Sequence, residues 1–211
     1  MSMLQFERAL SCAAIGVDEA GRGPLAGSVY AAAVYAPIEK LEILALDKWA
    51  KVNDSKKLSP RTRENLSLVI KDNSLWAIGS ATPAEIDEIN ILNATHLAMR
   101  RAVEGILSNL PESQTPHVLV DGLPVKGLPC QSTNIIKGDS KSLLIAAASI
   151  LAKTARDEEC VKLDSLFPDY GFAKHKGYPV KAHIAAIKKY GLCPEHRRSF
   201  GPCKQELELG I

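Results

Sequence analysis

GVDEAGRGPLAG occupies residues 16–27, where an apolar run beginning at Ala13 ends on the adjacent acids Asp18 and Glu19, with Gly21 and Gly23 close behind. An ionised carboxylate at the end of a buried strand needs partners before it can leave water, so packing alone gives no reason for two of them there. The same ending recurs along the chain. Val120 runs into Asp121-Gly122, and Ile136 leads through Lys137 to Gly138-Asp139. In open α/β sheets the ligand crevice lies at strand ends, so acids placed there can converge from segments far apart in sequence.

Around these endings the chain alternates strands and helices. Apolar and β-branched runs predict strands at 13–17, 28–35, 75–81, 117–120 and 134–136. Residues 41–50 read as a short helix. Ser59-Pro60 gives an N-cap followed by proline at the first helical position, opening a helix to about Ile70. Thr82-Pro83-Ala84-Glu85 is a capping box, and the apolar spacing of Leu92, Thr95, Met99, Ala102, Val103 and Ile106 predicts helix throughout that region. Residues 140–166 predict a long helix with Leu143, Leu144, Ala147, Ala148 and Leu151 on its buried face. Residues 179–190 predict another, stopped by Gly191. No repeat, low-complexity tract or linker interrupts the 211 residues, and one domain is expected: a core over about 12–166 and a basic helical part over about 167–200.

Composition narrows the class. The five cysteines, Cys12, Cys130, Cys160, Cys193 and Cys203, are odd in number and form no C-x-x-C pair, which argues against a disulfide framework or structural zinc and for a reducing, cytoplasmic setting. The longest apolar stretch, 143–152, is too short to span a bilayer, so no membrane association is expected. Net charge is only +2, yet residues 171–200 carry +6 against −4 for the remainder. Such asymmetry suits a surface facing a polyanion, although a solvated charged face gives the same signal.

Four convergent carboxylates would repel one another strongly. Each like-charged pair at about 4 Å costs about 4 kcal/mol at an effective dielectric of about 20, so the cluster needs protons or divalent cations. All-oxygen ligands favour magnesium or manganese, ions that also engage phosphate oxygens. Competing motifs fail on spacing. In Gly21-Arg22-Gly23 through Gly27 the last glycine falls one place too late for a dinucleotide fingerprint, Gly138-Asp139-Ser140-Lys141-Ser142 lacks the glycines of a P-loop, and there is no G-x-S-x-G elbow.

The blocks GVDEAGRGPLAG (16–27), NDSKKLS (53–59), INILNATHLAMRRAV (89–103), VLVDG (118–122), KGDSKS (137–142), AAASILAK (146–153), FAKHKGYPVKAH (172–183) and HRRSF (196–200), in this order, resemble bacterial ribonuclease HII, the type 2 ribonuclease H family. The resemblance covers nearly the whole chain. It implies an RNase H-like α/β fold: a mixed five-stranded sheet flanked by helices, with a C-terminal helical extension. It also implies an endoribonuclease that cuts the RNA strand of RNA–DNA hybrids and nicks DNA duplexes 5′ to embedded ribonucleotides. Position by position, it makes Asp18, Glu19, Asp121 and Asp139 the catalytic, metal-binding acids of a two-metal site using Mg²⁺ or Mn²⁺, leaving 5′-phosphate and 3′-hydroxyl. Asp18 is expected to bridge the ions. Strand side chains alternate in direction, so Asp18 and Glu19 can both reach the metals only if the strand breaks between them or one contact is indirect.

By the same resemblance, Gly21, Arg22 and Gly23 form the loop whose backbone approaches the ribonucleotide and its 2′-hydroxyl, the group that distinguishes RNA from DNA at one position. Tyr178 corresponds to the tyrosine that packs on the neighbouring sugar, and Lys56 to a substrate-contacting position. Lys141, Lys174, Lys176, Arg197 and Arg198 are candidate phosphate contacts. His183 stays outside the catalytic set. Two departures, Ser28 where the family commonly has proline and Ser140 where it commonly has alanine, are small enough to leave a metal site intact. Residues 203–209 lack the aromatic pair of a sliding-clamp-binding segment, and a monomer is expected. Two readings compete with the nuclease. A non-catalytic nucleic-acid-binding module would need only the basic region, but a binder of phosphate gains nothing from four negative charges beside it. A phosphatase for small esters would leave the basic region and Tyr178 without a role.

Overall fold

The computed structural model describes residues 3–53 and 55–209. Strands β1 (Ala14–Ala20), β2 (Val29–Tyr35), β3 (Leu75–Ala81), β4 (His117–Asp121) and β5 (Ser132–Ile135) form one sheet in the order β3-β2-β1-β4-β5. β1 lies at its centre, antiparallel to β2 and parallel to β4; β2–β3 is antiparallel and β4–β5 parallel. The sheet is therefore mixed and five-stranded, as the resemblance implies.

The helices are α1 (Gln5–Ala9), α2 (Ile38–Leu46), α3 (Pro60–Asn73), α4 (Pro83–Leu107), α5 (Leu143–Leu166), α6 (Phe172–His175), α7 (Lys181–Tyr190) and α8 (Gly201–Leu209). Among the described residues no helix is long and apolar enough to cross a membrane. The period-2 alternation of the strands divides two long helices between the two sheet faces. Ile15, Val17, Ala31, Ala33, Val118 and Val120 share a core with α4 residues such as Ala98, Met99 and Ala102. Ala14, Ala32, Val34 and Leu119 share the opposite core with α5. Gly16 points to the α5 side, where a Cβ would stand 2.2 Å from the Leu144 carbonyl carbon, so its missing side chain sets how closely α5 lies on β1. A third core joins Leu25 and Ala26 to Leu163, Tyr170, Phe172 and Ile187, seating the C-terminal helices on the segment between β1 and β2.

Several boundaries differ from the sequence reading. β1 does not stop at Val17; Asp18, Glu19 and Ala20 stay in register with Ala32, Ala31 and Tyr30 of β2. α2 begins three residues before 41 and ends at Leu46. α4 is not helical throughout, because Asn90 adopts φ 66° and ψ 163°. Its side chain then caps the resumed helix, accepting from the Leu92 and Asn93 N–H groups at 3.0 and 3.1 Å. α5 starts at Leu143, capped by Ser142, which follows a separate 3₁₀ turn at Gly138–Ser140. α8 lies beyond the helices expected from sequence. Both predicted N-caps form: Ser59 accepts from Thr62 N–H, and Thr82 and Glu85 make the full capping box.

Candidate active site

The β1–β4 register ends at Val17 opposite Val120, so the next residues, Asp18 and Asp121, are lateral neighbours at the carboxyl ends of adjacent parallel strands. Neighbouring strands lie about 4.8 Å apart, which puts these carboxylates side by side. Both belong to the α5 face by alternation, and Asp18 is only 5% exposed. Burial first, then the charges of Glu19 and Asp121, push the Asp18 pKa well above its ordinary 3.8; hydrogen bonds from the Ser149 side chain and the Glu19 N–H oppose the rise. The Glu19 N–H donates to Asp18 Oδ1 at 2.7 Å.

Glu19 points to the α4 face. Its pKa is also raised, chiefly by burial, although Arg22 pairs with it at 3.3 Å and pulls the other way. Because β1 continues through both acids, they straddle the sheet. Asp18 and Glu19 line a cleft of about 360 Å³ together with Gly21, Arg22, Gly23, Lys56, Ser149, Lys153, Arg156, Lys176 and Tyr178. Glu19, Arg22 and Asp121 border a second hollow of about 200 Å³ against Thr95, His96 and Met99 of α4. Asp139 lies in the 3₁₀ turn, 6% exposed, and the preceding residue's N–H, that of Gly138, donates to Asp121 Oδ1 at 2.6 Å. The turn thus links the third and fourth acids through one hydrogen bond.

A divalent cation suits this donor set. The ligands available are hard carboxylate oxygens, and the best buried of them, Asp18, has two hydrogen-bond donors but two repelling carboxylates beside it. Among the described residues no three acidic, histidine or cysteine side chains form a ready-made metal cage. An open, partly completed site of this kind fits a hard ion that keeps waters and takes substrate phosphate oxygens as further ligands.

The substrate-side residues are also brought together. Tyr178 is 45% exposed, and its Cε1 would stand 3.2 Å from a Cβ at Gly23, so the glycine lets the ring close over the loop. Lys56 is exposed at the cleft rim; its neighbour Asp54 lies outside the described residues.

Comparison with known proteins converges on one family. The model of the family Ribonuclease HII matches residues 15–203. The chain belongs to the ribonuclease HII family. It is 53% identical over 199 residues to the Ribonuclease HII of Laribacter hongkongensis, covering 92% of this chain and 94% of that protein. The crystal structure of ribonuclease H2 from Pyrococcus horikoshii OT3 superposes with a TM-score of 0.73 at 27% identity, covering 93% of this chain and 98% of that one. The structure of Bst-RNase HIII in complex with Mn²⁺ gives a TM-score of 0.73 at 18% identity over 94% of this chain and 70% of that one, a likeness in fold.

Within this ribonuclease HII chain, one expected phosphate contact is overturned. Arg197 is 0% exposed, and its guanidinium donates to the carbonyls of Gly27, Arg22 and Gly21 at 2.9, 3.1 and 2.6 Å, so it cannot meet a phosphate. Lys141 turns back onto the Ile136 carbonyl at 2.7 Å. Lys174 and Arg198 are exposed, and Lys176 reaches the cleft. His183 is fully buried and bonded to His196 at 3.1 Å, away from the acids. Sequence reasoning missed Ser149, Lys153 and Arg156 on α5. Their signal was a polar i, i+4, i+7 line that begins inside the apolar first half of α5, which puts all three on one face toward the cleft.

Proposed function

We propose that this chain hydrolyses the RNA strand of RNA–DNA hybrids and nicks DNA duplexes 5′ to a single embedded ribonucleotide, using Mg²⁺ or Mn²⁺. The observation that carries this reading is one cleft in which the acidic end of β1 meets the Gly21–Gly23 loop and Tyr178. Asp18, Glu19, Asp121 and Asp139 are the residues that would hold the metal, Glu19 indirectly, since β1 runs unbroken between it and Asp18. When bound, the metal supplies positive charge that neutralises the carboxylates, activates water and stabilises the charge on the scissile phosphate.

The chain's own groups divide the remaining work. Lys56, Lys153 and Lys176 set positive charge along the cleft for the sugar–phosphate backbone, an attraction without sequence preference. The Gly21–Gly23 backbone, free of bulky side chains on either side of Arg22, approaches the 2′-hydroxyl, while the exposed ring of Tyr178 offers a flat apolar face to the adjoining sugar. Ser149, hydrogen-bonded to Ser55 at 2.9 Å and to Asp18, orients the Asp18 carboxylate. The pure binding reading has no use for acids that repel one another in a buried setting.

We take residues 1–211 to act as one unit and as a monomer. The packing of Cys203 and Glu206 of α8 into the protein supports a tail that does not tether to a clamp, and five free cysteines support a reducing, cytoplasmic setting. The decisive experiment is nicking of a DNA duplex carrying one ribonucleotide, with and without Mg²⁺ or Mn²⁺. Cleavage 5′ to the ribonucleotide is expected only with metal, and Asp121→Asn should lower it at least about a hundredfold while duplex binding persists. Near wild-type cutting by purified Asp121→Asn would remove that acid from the assignment.

A further inference from the structure

Residues 195–197 run antiparallel along the segment that follows the glycine loop. Gly27 N–H donates to the Glu195 carbonyl at 2.8 Å, Arg197 N–H donates to the Leu25 carbonyl at 2.7 Å, and Ala26 and His196 form a β-bridge between them. This strip delivers the Arg197 side chain beneath the loop. There its planar fork meets three carbonyls from both ends of the loop: Gly21 and Arg22 on one side and Gly27 on the other. Among the described residues no carboxylate lies within ion-pair distance of it. Its hydrogen bonds go to these three carbonyls, the Phe200 ring lies 5.2 Å from its guanidinium carbon, and the charges of Glu159 and Asp87 favour its charged form; a buried cation is still a costly way to brace a turn.

The peptide plane explains what the cation achieves. In a trans peptide the C=O of one residue and the N–H of the next point in opposite directions. With the Gly21 and Arg22 carbonyls fixed downward onto Arg197, the N–H groups of Arg22 and Gly23 must point upward, away from the buried side. That is the side on which Gly21, Arg22 and Gly23 line the cleft. Neither N–H donates to another group among the described residues. A charge-assisted bond at each carbonyl also polarises its peptide group, which strengthens the N–H on the other end as a donor.

We propose that Arg197 is a positioning residue for ribonucleotide selectivity, holding two backbone N–H donors toward the 2′-hydroxyl from beneath the loop without touching substrate. The proposal rests on the nuclease reading above. Arg156 supports the other half of the same surface. Its guanidinium, 2% exposed, donates to the Ala26 carbonyl at 2.8 Å and the Lys176 carbonyl at 3.2 Å, tying the loop to the segment that carries Tyr178.

The test uses the intact enzyme with Mg²⁺, nicking a DNA duplex that carries one ribonucleotide, with the matching all-DNA duplex as competitive inhibitor. For Arg197→Gln the KM for the ribonucleotide duplex should rise about tenfold, toward the inhibition constant of the all-DNA duplex, which should stay within about twofold of wild type. Arg197→Lys, with one compact ammonium in place of a fork, should fall between them. A merely structural role would instead lower kcat or weaken both duplexes by the same factor, and either result overturns the proposal, as does wild-type KM in both variants. If Arg197→Gln does not fold, the amide NMR signals of Arg22 and Gly23 decide on Arg197→Lys: displaced from their wild-type positions in support, unmoved in refutation. A wild-type enzyme that fails to nick the ribonucleotide duplex would instead overturn the nuclease reading itself, whatever Arg197 does.

Discussion

Asp18 is held at a disadvantage by the fold: buried, flanked by two like charges and compensated only by hydrogen bonds. A carboxyl whose pKa is raised on folding gives its full stabilising contribution below its unfolded value and loses it as pH rises through the folded one. The contribution of Asp18 to the stability of the metal-free protein should therefore fall as pH rises from about 3.8 through its raised pKa, read as the difference between wild type and Asp18→Asn. Thermal melts should show that Asp18→Asn lacks this decline and melts higher than wild type at neutral pH without metal, while Mg²⁺ or Mn²⁺ raises the melting temperature of wild type more than that of the variant. At the other end of the cleft, Tyr178→Ala removes an exposed ring and few buried contacts. The expected result is an unchanged melting temperature with several-fold poorer discrimination between ribonucleotide-containing and all-DNA duplexes, measured as KM against inhibition constant; unchanged discrimination would refute the sugar-packing role.

Individual elements show where sequence patterns carry structural information and where they stop. The strands were legible because their apolar runs are short and bounded by glycine, proline or charge, and the capping box at Thr82 and the N-cap at Ser59 are local chemistry that any fold would preserve. The continuation of β1 through Asp18 and Glu19 was not legible, since nothing in DEA looks strand-like; it is imposed by the Ala-rich partner β2, whose small side chains let the ladder run on. The break at Asn90 was hidden for the opposite reason: apolar spacing resumes beyond it, and a left-handed asparagine that caps the next turn leaves no proline or glycine as a sign. Arg197 was misread because arginine in a basic segment is usually solvated, and only the pairing of Ala26 with His196 buries it. Gly16 makes the element-scale prediction. Gly16→Ala would drive a methyl into the α5 backbone, and urea unfolding should show a loss of about 3 kcal/mol, with nicking impaired because Asp18 and Ser149 no longer face each other correctly.

At the scale of the whole molecule, Asp18, Glu19 and Asp121 belong to the sheet and Asp139 to the turn before α5, while the loop and Tyr178 proposed to select the substrate are shared with the C-terminal part. Those helices close around a group of histidines. His183 and His196 are both buried, bonded to each other, and pushed down to pKa values of about 4, chiefly by burial; His175 stacks on His183 with ring centroids 4.5 Å apart. A histidine kept neutral on folding stabilises the protein above its ordinary pKa of 6.5, and that contribution is lost as pH falls toward 4. Acidification should accordingly loosen the C-terminal part before the sheet, seen as loss of near-ultraviolet circular dichroism from Tyr170 and Tyr190 between pH 6.5 and 4 while far-ultraviolet signal persists. Coincident loss of both signals would show that the two parts unfold together. The strip joining Leu25–Gly27 to Glu195–Arg197 also sets an order of events during biosynthesis. A nascent chain emerging from the ribosome acquires all four acids before the arginine that braces its glycine loop has been added. On the proposed roles, the groups that would hydrolyse therefore precede along the polypeptide the one that would confer selectivity, which waits for Glu195–Arg197 to dock on Leu25–Gly27.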